Sequence, residues 1–116
     1  MHALSLLALL LPLVAADTGY SECDCQTASG PGSGQTLTYN HDLSRWLCYH
    51  TYTNTALWSE NKGRCIATQQ PIPGDEWQTN CIVIGVQQGY YAFDPKGVPV
   101  TNVPAMKVDT AVGNCD

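Results

Sequence analysis

The residues best suited to covalent chemistry in this chain are six cysteines, Cys23, Cys25, Cys48, Cys65, Cys81 and Cys115. Cys23 and Cys25 flank Asp24, and alternate residues of an extended strand share one face. Two thiols aimed at one layer can fasten a strand to two different elements. Neither Cys-x-x-Cys spacing nor a local cluster of Cys and His occurs, so disulfides are expected, with no metal and no cofactor. Geometry prefers Cys23 and Cys25 each joined to a different element through Cys48, Cys65 or Cys81. Cys115 is an alternative partner for Cys23.

Acid–base chemistry has fewer candidates. His41 and His50, with Glu60, Glu76 and Arg64, are the residue types a small secreted ribonuclease uses as acid, base and phosphate-binding groups. No local motif joins them; His41 reads as a surface residue and His50 as a helix-end residue near unpaired carbonyls. No serine sits in Gly-x-Ser-x-Gly, and Ser33, within Pro31-Gly32-Ser33-Gly34, belongs to a flexible linker. The Gly-rich run Thr27–Gly34 has no following Gly-Lys-Ser/Thr, so it is no phosphate cradle. Carboxylates for glycoside hydrolysis are present but unpaired by any pattern. The expectation is a protein that is not an enzyme. Its candidate binding surface is aromatic: Trp58, Tyr90 and Tyr91. Tyr90 and Tyr91 point to opposite faces of a strand, which leaves one exposed. Trp46 and Trp77 lie on helix stripes and read as core.

The envelope of the chain fits that expectation. An apolar run from Ala3 to Ala16 is broken only by Ser5 and Pro12. It is shorter than the roughly 20 residues a membrane-spanning helix needs. Val14-Ala15-Ala16 ends it with small residues, which predicts a signal peptide over 1–16 and a single mature domain over 17–116. A secreted domain of this size is short of core and is usually stapled, each disulfide contributing about 2–4 kcal/mol. Ten Asp and Glu against five Lys and Arg disfavour nucleic acid and anionic membranes as partners.

The elements that must position these residues follow from periodicity. Cys23–Cys25 is an anchor strand, followed by the Gly-rich loop. Tyr39, Leu43, Trp46, Leu47 and His50 trace one face of a helix over Thr36 to Tyr49. Ala56–Glu60 and Arg64–Thr68 form a hairpin about Asn61-Lys62-Gly63. Trp77, Cys81, Ile84 and Gly85 mark a second helix from Asp75 to Gly85, with Asp75 and Glu76 favouring its positive end. Tyr90–Phe93 is a last strand, and Asp94-Pro95-Lys96-Gly97 a type I turn. Val98, Val100 and Val103 can return as an extra C-terminal edge strand, and Val98–Ala111 is expected to lie on the surface. Strand, helix, hairpin, helix, strand is the βαββαβ order of the α+β, ferredoxin-like split βαβ two-layer sandwich, here with three disulfides. Right-handed crossovers put the strands starting near Cys23 and Arg64 at the sheet centre, with both helices on the face Cys23 and Cys25 address.

Glu22-Cys23-Asp24-Cys25, the Thr27–Gly34 loop, the helix through Leu37 and Tyr39 to Cys48, Asn61-Lys62-Gly63-Arg64-Cys65-Ile66, and the helix from Asp75 through Trp77 to Cys81 carry a resemblance. In them the chain resembles the alpha subunit of the smut-fungus virus killer toxin and the killer-toxin-like secreted effectors of other fungi. It departs from the toxin in lacking cysteines before the anchor strand, in its longer Tyr90–Asp116 end, and in having no dibasic site. The resemblance implies a fungal secreted protein, by fold more than by activity. With the signal peptide, six cysteines, acidic balance and absent catalytic motif, the expectation is a secreted effector acting outside the producing cell by binding a host protein or cell-surface component. An antimicrobial killer toxin is the first alternative and a small secreted ribonuclease the second.

Overall fold

The computed structural model describes residues 19–30 and 36–116. The expected signal segment and the middle of the Gly-rich loop lie outside the described residues. In chain order the elements are β1 (Glu22–Ala28), β2 (Thr38–Tyr39), α1 (His41–Thr51), β3 (Ala56–Ser59), β4 (Arg64–Ala67), α2 (Gly74–Ile82) and β5 (Thr110–Cys115). A π-helical turn, Val83–Gln88, extends α2. The five strands form one antiparallel sheet in the order β5-β1-β4-β3, with the short β2 beside the far end of β1. β1 and β4 thus occupy the middle, as the crossover argument required.

β1 is covered on both faces. Cys23, Cys25 and Thr27 face the helices and are buried, while Asp24 is buried on the other side. β4 pairs only with Glu22 and Cys23, and β2 only with Gln26 and Thr27. The gap between them leaves the Cys25 amide without a strand partner. Ser44 of α1 fills it: the Cys25 N–H donates to Ser44 Oγ at 2.8 Å, and that hydroxyl donates to the Asn40 carbonyl at 2.7 Å. Ser44 is wholly buried, as such a bond requires.

α1 begins at His41 rather than Thr36. Asn40 is the N-cap, its Oδ1 accepting from Leu43 N–H at 2.9 Å, and an Asn in extended conformation is a strong start signal. The residues before it, Thr38 and Tyr39, take β geometry instead, so Tyr39 is exposed rather than on the buried stripe. Leu43, Ser44, Leu47 and Cys48 make the inner face. α2 buries Trp77 and Cys81, and Ile84 and Gly85 continue that stripe into the π turn. Gly85 is required there, because a Cβ would lie 2.8 Å from a Leu43 methyl of α1. The hairpin and the Asp94–Gly97 turn form where their residues predict, the latter closed by Gly97 N–H to Asp94 O at 2.9 Å.

The C-terminal reading is corrected. Tyr90–Phe93 is not the last strand; it makes only the isolated bridges Tyr90–Met106 and Phe93–Pro99. That place belongs to β5, which pairs with β1 from Cys23–Cys115 to Ala28–Thr110. Val98, Val100 and Val103 form no edge strand; the segment is largely exposed as expected from Val98 to Lys107, but its end, Val108–Ala111, packs on the body. Val108 N–H bonds Gly85 O at 2.9 Å, and Ala111 is buried. Small residues explain β5: Gly113 passes so close beneath α2 that a Cβ would sit 2.9 Å from Trp77 Cδ1.

All six cysteines are paired, Cys23–Cys115, Cys25–Cys81 and Cys48–Cys65. Cys23 takes its alternative partner, Cys115, directly across the β1–β5 ladder. Cys25 reaches α2, and Cys65 of β4 reaches α1.

Candidate functional site

The outer surface of α1 gathers most of the reactive and aromatic side chains. His41, Arg45 and Tyr49 lie four residues apart and therefore share one face. At its start, the His41 ring stands edge-on to Trp58, with centroids 5.5 Å apart. His41 Nε2 is 3.0 Å from Glu60 Oε2 and its Nδ1 is 3.3 Å from Asp42 Oδ1. Only the doubly protonated ring donates to both carboxylates at once.

Glu60 is the hub of this end. It accepts from Trp58 Nε1 at 2.6 Å, faces His41, and lies 3.4 Å from Arg45 Nη1. The Trp58 N–H, and after it His41, hold its carboxyl below the usual carboxylate range. Arg45 is held from a second side, its guanidinium 4.5 Å above the Phe93 ring.

Past Arg45 the surface becomes aromatic. Trp46 stacks on His50 at 5.1 Å, meets Tyr91 edge-on at 5.3 Å, and lies 6.0 Å from Tyr49. Tyr49 meets Phe93 edge-on at 5.4 Å and is half exposed. Between these rings and β3 runs a groove of about 180 Å³, lined by Arg45, Tyr49, Thr53, Leu57, Trp58 and Phe93 among others. Two larger hollows flank Tyr20, but neither brings a second aromatic ring to its wall.

Of the expected contact residues, Trp58 lines the groove and Tyr91 packs beside Trp46. Tyr90 does not belong to the surface. It is buried, and its hydroxyl accepts from Asn40 Nδ2 at 3.0 Å, which ties the tail to the start of α1. Trp77 is core; Trp46 is half-buried and turned to the outer cluster instead. Arg45, Tyr49 and Phe93 were missed. The i, i+4, i+8 spacing of His41, Arg45 and Tyr49 is the sequence signal that points to them.

The acid–base set is divided. His41 and Glu60 come together; His50 is at the far end of α1 on Trp46. Glu76 accepts from the Tyr52 hydroxyl at 2.8 Å. Arg64 lies on the opposite face of the sheet, with its Nη1 2.9 Å from Glu22 and its Nε 2.8 Å from Asp24. Among the described residues no three His, Cys, Asp or Glu side chains converge as metal ligands.

Comparison with known proteins supplies no family. No family model matches the chain, and neither a curated protein nor a solved structure does.

Proposed function

We propose that this is a secreted, non-enzymatic, effector-type domain with a killer-toxin-like fold, which binds a host protein or cell-surface component through the outer face of α1. The observation that carries the reading is the cluster of partly buried Trp46, Tyr91 and Phe93 and half-exposed Tyr49 around a stacked Arg45. Aromatic rings and arginine are the residues enriched where proteins meet. The strand order β5-β1-β4-β3, with a helix after β1 and another after β4, supports a split βαβ plan; β2 and residues 89–109 are its additions. Three disulfides support an oxidising destination, and no helix among the described residues is long and apolar enough to cross a membrane.

The test is capture from host extract by the oxidised chain, compared with Tyr49→Ala and Arg45→Glu. A partner retained by the wild type and lost with both variants, at unchanged melting temperature, supports the reading. Equal capture by all three chains removes the α1 face from it.

The pairing of His41 with Glu60 beside Arg45 favours a second reading, cleavage of RNA. A base and an acid must act on opposite sides of the phosphate, whereas His41 and Glu60 bond each other at 3.0 Å, so the first reading is preferred. RNA degradation by the pure protein, abolished in Glu60→Gln, would reverse the order. Growth inhibition of competing microbes by the pure chain is the corresponding measurement for an antimicrobial toxin.

A further inference from the structure

The two edges of the sheet are finished differently. On the β5 edge the Gly113 N–H donates to the Gln78 side chain of α2, and α2 lies against the strand. An edge closed in this way cannot template a new strand. β3 is the other edge, and among the described residues no strand pairs with its outer side, where the Ala56 N–H is bonded to Tyr52 O at 3.0 Å. Thr55 and Ser59 direct their carbonyls inward, to Thr68 and Gly63. Trp58, one residue before Ser59, has the opposite direction by strand alternation, so its backbone N–H and C=O face outward.

The groove beside this edge has the wrong size for an ordinary small-molecule site. Such sites occupy about 300–1,000 Å³, and this one holds about 180 Å³. Its walls are Tyr49, Phe93, Leu57 and Trp58, with Leu57 65 % exposed at the lip. That is room for one large side chain, not for a cofactor or a sugar chain.

Charge completes the description. The chain has five Lys and Arg in all. Lys62 is bound to Glu22, and Arg64 is surrounded by Glu22, Asp24 and Asp116 on the far face. Arg45 lines the groove, where its guanidinium also pairs with Glu60 at 3.4 Å. One cation therefore lines an apolar slot on an otherwise acidic protein.

From the outward backbone of Trp58, the slot and Arg45 together, we propose that β3 accepts an extended peptide of its partner as an added strand. One large apolar side chain of that peptide fills the groove, and a flanking Asp or Glu meets Arg45 in place of Glu60. Main-chain bonds to the strand edge supply affinity and the slot supplies selectivity, the division of labour seen wherever a peptide augments a sheet. The inference rests on the binding reading above and names the kind of partner it serves.

The experiment uses the oxidised full-length mature protein and a displayed library of random octapeptides as the probe. Enriched sequences are expected to share one large apolar residue with Asp or Glu within two positions. Their binding should shift the amide resonances of Ala56–Ser59. Affinity should fall about tenfold or more in Thr53→Trp, which plugs the slot, and in Arg45→Glu, while Lys107→Glu binds as the wild type. Melting temperature and disulfide mass establish that each variant is folded. Peptides that shift the resonances of Trp46, His50 and Tyr91 but not β3 overturn the added strand while leaving the aromatic face as a binding surface. A library that yields no binder, with extract capture still dependent on Tyr49, overturns the added strand alone. No binder and no Tyr49-dependent capture removes both. A second copy of the chain already seated on β3, seen as a dimer that Thr53→Trp dissociates, also overturns the proposal.

Discussion

Ser44 carries a larger share of the fold than its size suggests. Its hydroxyl is the partner of the one β1 amide that falls between two short neighbouring strands. Ser44→Ala would leave the Cys25 N–H buried and unpaired, a loss of about 1–3 kcal/mol. Urea unfolding of the oxidised protein measures this, and a loss below about 0.5 kcal/mol would mean water or a shifted strand replaces the bond. The carboxylates around Arg64 can be read just as locally. Lys62, and after it Arg64, hold the Glu22 carboxyl low, as Trp58 does for Glu60. A lowered carboxyl contributes stability that is present at neutral pH and lost as pH falls through its folded value. Asp24 has the opposite sign. Burial raises it, with Arg64 opposing, so its contribution is complete in acid and lost as pH rises through the raised value. Asp24→Asn removes only that opposing contribution. Its melting temperature should therefore fall more steeply than the wild type's between about pH 7 and about pH 3. A shallower fall would show that the Arg64 pairing outweighs the burial of Asp24.

At the scale of elements, what could be read from sequence was whatever is local. The Asn61-Lys62-Gly63 turn, the Trp77–Cys81–Ile84 stripe and the strand through Cys23 and Cys25 each declare themselves within a few residues. β5 does not. Thr110-Ala-Val-Gly-Asn-Cys115 has weak strand character, and only pairing with a strand at the other end of the chain makes it one. Tyr90–Phe93 looked more strand-like because aromatic residues fit pleated surfaces, yet Tyr90 spends its ring on the core and its hydroxyl on Asn40. The groove was illegible for the same reason, since Phe93 and Arg45 meet only through the fold. The correction reverses an expectation that can be measured. Deleting Val98–Ala111 removes the Val108–Gly85 bond, the buried Ala111 and the first pairs of β5. It should lower the melting temperature more than Cys25→Ser, which takes away one bridge and leaves the ladder intact. A deletion that melts above the cysteine variant would return the segment to the status of a surface addition.

Taken as a whole, the molecule is a sheet tied at three points whose loops differ widely in length. Cys48–Cys65 joins residues 17 apart, Cys25–Cys81 residues 56 apart, and Cys23–Cys115 residues 92 apart. The first ties α1 to the hairpin, the second pins α2 to β1, and the third closes nearly the entire described chain. If a bridge acts chiefly by restricting the unfolded chain, its contribution grows with the logarithm of the loop it closes. That relation gives about 3.1 kcal/mol for the shortest loop and about 4.6 kcal/mol for the longest. Native contacts argue for a smaller difference, because β5 is also held by its ladder to β1, whereas α1 meets β4 mainly through side chains. The two effects separate in paired replacements. Cys23→Ala with Cys115→Ala should cost about 1.5 kcal/mol more than Cys48→Ala with Cys65→Ala when unfolding is measured in urea with the other bridges intact. An equal cost would mean that the β1–β5 ladder already restricts the unfolded ends. A greater cost for the Cys48 and Cys65 pair would mean that fastening α1 over β3 and β4, and with it the groove between them, is what that bridge is for.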